Sequence, residues 1–128
     1  MLDHLRARIE AALAEPVAAL LITQGPGGLQ ASSWPCAALG LSLYLLVPAA
    51  SDHRLNLDGP DPVAVVVVAE GWRLEGRAWP VGVDREPPVT LTQRPDAPWS
   101  VVIEIRPERL HLLRPGGWGD CETLAIDN

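Results

Sequence analysis

Residues 51–68 read SDHRLNLDGPDPVAVVVV, and the order of chemistry within them constrains the rest of the chain. Ser51 or Asp52 can cap a helix start, Asn56-Leu57 carries it for one to two turns, and Asp58-Gly59-Pro60-Asp61-Pro62 breaks it. From Val63 to Ala69 the chain is β-branched and apolar with no polar alternate, a pattern that only a well-buried strand tolerates. A brief helix followed by such a strand is a short crossover within a β-rich domain.

Upstream, Leu41 to Val47 reads as a strand that ends at Pro48. Val17 to Thr23 and Leu29 to Ala37 read as a hairpin joined by Gln24-Gly25-Pro26-Gly27-Gly28. The chain opens on Leu2, Leu5, Ile9, Ala12 and Leu13 at helical spacing, with Asp3 favouring the first turn and Pro16 ending the pattern. Downstream, Trp72, Leu74, Gly76 and Ala78 alternate with Arg73, Glu75 and Arg77, and Gly76 marks a bend needed for closure. Asp84 to Trp99 holds Pro87, Pro88, Pro95 and Pro98 without periodicity and reads as an ordered surface loop. Strand patterning resumes at Val101–Ile105 and Leu110–Leu113. The expectation is a single domain over residues 1–128, mainly β: a six- to seven-stranded antiparallel split barrel with an N-terminal helix.

Composition agrees with a soluble globular protein: 48% of residues are hydrophobic and 20% charged, at a mean hydropathy of +0.12. All ten basic residues are Arg, against sixteen acids, for a formal charge of −6. Such a field repels nucleic acid and anionic membrane, so a phosphate must be met locally. The two cysteines, Cys36 and Cys121, show no ligand spacing and are expected to be reduced, buried thiols in a cytoplasmic protein without a membrane anchor.

Several chemistries find no foothold. Gly25-Pro26-Gly27-Gly28 lacks the Gly-Lys-Ser/Thr ending of a phosphate loop and joins two strands, so it is a turn. His4 and His111 stand alone, which argues against a metal site. There is no Gly-x-Ser-x-Gly elbow and no paired carboxylates, so no side chain is assigned a catalytic role and a cofactor must carry any chemistry. Trp72, Trp79, Trp99 and Trp118 read as core or interface filler. Trp34, beside Ser32 and Ser33, is balanced between filler and a stacking face.

The His53-Arg54 pair opens the short helix, where free backbone N–H groups attract anions and Arg54 offers a fork for phosphate oxygens. In their order, VAALLIT, GGLQASSWPC, LYLLVP, SDHRLNLDGPDPVAVVVV, WRLEGRAWPV and SVVIEIRPERLHLL make the chain resemble the FMN-binding split β-barrel family, the pyridoxamine 5'-phosphate oxidase-like proteins. The resemblance spans nearly the whole chain. It implies an FMN phosphate held by Ser51, His53 and Arg54, with Ser32, Ser33, Trp34, Val47 and Pro48 along the flavin. It also implies a homodimer with the flavin at the interface and an oxidoreductase acting on a small molecule the sequence does not name. His53 departs from the pattern, standing where the family carries a second permanent cation. A flavin-free small-molecule-binding or dimerisation module is the alternative, and a deazaflavin or haem ranks behind FMN as cofactor.

Overall fold

The computed structural model describes residues 3–59, 62–67, 71–81, 100–113 and 121–125. Seven strands and two helices follow one another as α1 (Asp3–Ala14), β1 (Ala18–Thr23), β2 (Gln30–Leu39), β3 (Ser42–Pro48), α2 (Asp52–Leu57), β4 (Val63–Val67), β5 (Trp72–Pro80), β6 (Ser100–Leu113) and β7 (Cys121–Ala125). Every pairing is antiparallel, in the order β3-β2-β1-β4-β5-β6-β7, and a further β3–β6 pairing closes the first six strands into a barrel. Because β3 pairs only with Cys36–Leu39 of β2, the Gln30–Pro35 half of β2 keeps a single partner, β1.

Strand alternation places Leu21, Leu43, Leu45, Val66, Leu74 and Ile103 in one core. Burial of each such side chain contributes about 1.5–3 kcal/mol. The apolar run at Val63–Val67 is split by the sheet: Ala64 and Val66 are buried, while Val63 is 46% exposed on the outer face. Ile9 and Leu13 of α1 enter the same core, and Trp72 donates its indole N–H to the Ala12 carbonyl at 2.8 Å, satisfying one of the orphan acceptors of the helix end. Trp79 is half-buried, with Arg106 over its ring, 5.0 Å from the centroid.

Beyond the half-exposed β4, two further features differ from the sequence expectation. Val101–Ile105 and Leu110–Leu113 belong to one continuous strand, because the interruption at Pro107 coincides with a register shift opposite Glu75/Gly76, where the missing proline N–H is harmless. Gly76 is needed there, since a Cβ would run into the Arg106 carbonyl oxygen. The second difference is β7, which pairs with Arg109–Leu113 and carries no strand signal of its own. The Asp84–Trp99 segment and Trp118 lie outside the described residues. No helix among the described residues is long and apolar enough to cross a membrane.

Candidate functional site

The hairpin turn and α2 build the site together. Pro48–Ser51 turns the chain, with Ser51 N–H donating to the Pro48 carbonyl at 3.0 Å, and the Ser51 hydroxyl then caps α2 by accepting from His53 N–H at 3.2 Å. On the facing hairpin, Gly28 closes its turn with φ +81° and an N–H bond to the Gly25 carbonyl. Gly27 lies so close that a Cβ there would meet the Asp52 carbonyl at 2.9 Å and Asn56 Oδ1 at 3.0 Å. The glycines thus let the turn seat against the helix.

Asn56 ties the two elements. Its Nδ2 donates to Thr23 Oγ1 at 3.0 Å and to the Gly28 carbonyl at 2.9 Å, while Oδ1 accepts from Gly27 N–H at 2.7 Å. His53 completes the cluster: Nδ1 lies 2.8 Å from Thr23 Oγ1 and Nε2 lies 2.7 Å from Ser32 Oγ. Thr23 already accepts from Asn56, so its own proton suits Nδ1. The neutral ring then carries its proton on Nε2 and donates to Ser32. The ring is 2% exposed, and burial lowers its pKa below the ordinary histidine value, with Asp52 opposing the shift.

The eight residues expected around a cofactor are thereby divided. His53 and Ser32 face one another inside the fold, and Trp34 stands edge-on to the imidazole at 6.4 Å between centroids. Ser33 points to the opposite, exposed face of β2. Val47 is fully buried in the core, and Pro48 is half-buried at the turn. Ser51 and Arg54 line an open depression of about 340 Å³ with Asp52, Leu55 and Asp58. Both His53 ring nitrogens are committed to internal hydroxyls, so the cation of the basic pair at this surface is Arg54. Among the described residues no carboxylate lies within ion-pair distance of Arg54, although Asp52 and Asp58 border the same depression.

Thr23, Asn56, Gly25 and Gly27 are parts of the site that sequence reasoning passed over. A signal was present: asparagine is a poor helix-interior residue, and one set in a six-residue helix beside a glycine-rich turn points to a side-chain bond with that turn. Among the described residues no group of three or more His, Cys, Asp or Glu side chains is arranged to hold a metal. Burial pushes the Cys36 thiol up to about 11, which leaves it a poor nucleophile and ligand.

No family model matches the sequence, and no curated protein does so at a significant level. Solved structures do match in fold. General stress protein 26 from Bacillus anthracis superposes with a TM-score of 0.68 at 18% identity, over 96% of this chain and 99% of that one. A protein related to general stress protein 26, of the pyridoxinephosphate oxidase family, from Clostridium acetobutylicum gives 0.67 at 12% identity, over 98% and 97%. A haem-binding protein from Mycobacterium smegmatis gives 0.63 at 24% identity, over 94% of this chain and 56% of that one. The chain therefore has the split-barrel fold of pyridoxamine 5'-phosphate oxidase-like proteins.

Proposed function

We propose, from this shared split barrel and from the depression beside α2, that the protein binds FMN and acts as a flavin-dependent oxidoreductase on a small molecule. One observation carries the reading: Arg54 is half-buried, without an ion pair among the described residues, and held beside the Ser51 cap on a helix pinned by Asn56. A guanidinium next to a hydroxyl suits phosphate oxygens. In this arrangement Arg54 and Ser51 hold the phosphate, and His53 acts at one remove by setting the position of α2. Ser33 and Pro48 supply surface along the ring. Bound FMN would supply hydride or single-electron transfer, and no side chain is required as acid or base. Haem fits the described residues less well: His53 is committed on both nitrogens, His4 lies on the exposed side of α1, and His111 faces Glu75 on β5 and β6, so no histidine among them borders the depression to hold an iron.

Titrating the purified protein with FMN, followed by flavin fluorescence, tests this. Arg54→Ala should weaken binding by about 1.5–3 kcal/mol, roughly 10- to 150-fold, the worth of a charge-assisted hydrogen bond. Unchanged affinity in that variant would move the phosphate elsewhere. A second reading, a flavin-free module, is favoured by the neutral, buried His53 and by Asp52 and Asp58 flanking Arg54. A colourless protein whose addition leaves FMN fluorescence untouched would make it the better one.

A further inference from the structure

His53 sits where α2, β1 and β2 meet, and it is bonded through both its backbone and its ring. Its backbone N–H is taken by the Ser51 hydroxyl at 3.2 Å, and the next N–H, that of Arg54, by the Ser51 carbonyl at 3.1 Å. These two bonds make the first turn of α2. From the same residue the imidazole crosses to β1 and β2, reaching Thr23 Oγ1 at 2.8 Å and Ser32 Oγ at 2.7 Å. The turn that brings Ser51 and Arg54 to the depression is therefore tied to the barrel through one titratable ring. Asn56 and Leu57 anchor the later residues of the helix.

We propose that His53 is an acid-operated latch on the first turn of α2: the neutral ring holds the turn closed, and a proton taken up by the ring opens it and withdraws Ser51 and Arg54 from the depression. A neutral imidazole has one donor and one acceptor, and the two hydroxyls satisfy both. The protonated ring has two donors, so in either tautomer one hydroxyl must reverse. Where that hydroxyl is Thr23, its oxygen already accepts from Asn56 and its proton must leave the ring. A full charge also enters a site that is 2% exposed.

The surrounding charges do not rescue the protonated ring. Asp52, the preceding residue of α2, favours the charged form, and Arg54, the next, carries a like charge. Among the described residues β1 and β2 bring Thr23, Ser32 and Trp34 to the ring, and none of these ionises near neutral pH. Burial outweighs Asp52, so the closed ring holds a proton more weakly than an exposed histidine. Opening the turn returns the ring to water and to a pKa of ~6.5, so acid favours the open turn by up to about tenfold per pH unit below that value. A histidine in contact with a phosphate would act in the opposite sense, binding it better in acid. That the latch gates a ligand rests on the phosphate reading of the depression; the latch itself does not.

Nuclear magnetic resonance of the isotope-labelled full chain, from about pH 7.5 to about pH 4.5 across the histidine range, is the test. The Arg54 amide should move toward its random-coil position in step with titration of the His53 ring, at a midpoint below ~6.5, while the amides of Leu21 and Leu45 in the core hold still. His53→Gln, whose side chain can bond both hydroxyls without titrating, should abolish the Arg54 step. The exposed variant Glu15→Gln, just past α1, should keep it. FMN bound to the closed turn should lower the shared midpoint by about one pH unit at roughly ten times its Kd, a tenfold loss of proton affinity. A ring that stays neutral throughout, a ring that titrates while the Arg54 amide keeps its helical position, an Arg54 step that survives His53→Gln, or core amides that move in the same step would overturn the proposal. A shared step that FMN leaves in place would uphold the latch and count against FMN at Arg54.

Discussion

Replacing Asn56 tests whether the polar cluster holds α2 on the barrel. The side chain is 6% exposed and makes two donated bonds and one accepted bond to Thr23, Gly28 and Gly27. Asn56→Ala removes all three and strips the Gly27 N–H and Gly28 carbonyl of a partner in a part-buried place. Each net bond is worth about 0.5–1.5 kcal/mol and each stranded group costs about 1–3, with water recovering some of it at the turn, so the expected loss is ~2–4 kcal/mol. That is a large share of a stability of about 5–15 kcal/mol, and it lowers the urea midpoint by ~1–2 M for a domain of this size. Asn56→Asp sharpens the test. It keeps an acceptor for Gly27 N–H but sets a carboxylate against the Gly28 carbonyl, so it should cost at least as much as alanine despite its near-identical shape. Urea unfolding followed by tryptophan fluorescence, with the slope checked for constancy, reads both. A loss under ~1 kcal/mol for Asn56→Ala, or an aspartate variant as mild as Glu15→Gln, would mean that apolar contacts such as Leu57 hold the helix and the polar bonds are incidental.

Two further outcomes follow from the same geometry. His53 has a folded pKa below its ordinary value, so below about pH 6.5 the unfolded chain takes up a proton that the folded chain refuses. Stability should be constant above that pH and fall as the solution is acidified, down to the folded pKa. His53→Gln should flatten this part of the profile, and urea midpoints across the range decide it. Gly76→Ala drives a Cβ into the Arg106 carbonyl at the β5–β6 register shift. With backbone on the other side of the contact it should cost ~2 kcal/mol or more, seen as a lowered thermal midpoint, whereas Gly59→Ala, whose added Cβ meets open space, serves as the control.

Much of the barrel was legible in the sequence because its signals are local. The β1–β2 hairpin rests on turn chemistry, α1 on apolar spacing, and β5 on strict alternation that the structure reproduces residue by residue. Pro107 misled because a proline stops a strand except at a bulge, and the bulge depends on Gly76, far away in the sequence. The strand β7 was silent because its pairing with β6 supplies the order that its own residues do not signal.

The candidate site shows the same division. Sequence by itself marked the capped helix start and the Arg54 cation, since residue type and spacing carry those, and the family resemblance marked the departure at His53. Only the tertiary structure decided that the two neighbours part company: His53 turns into the fold to bond Thr23 and Ser32, while Arg54 faces the depression. Adjacent residues at a helix start point about 100° apart, and which of them meets the hairpin depends on how α2 docks on the Gly25–Gly28 turn. Likewise, strand alternation at Val63–Val67 was hidden in an unbroken apolar run, and only the sheet register separated a core face from an outer face. An inward and an outward valine are identical in sequence, and the barrel's closure distinguishes them.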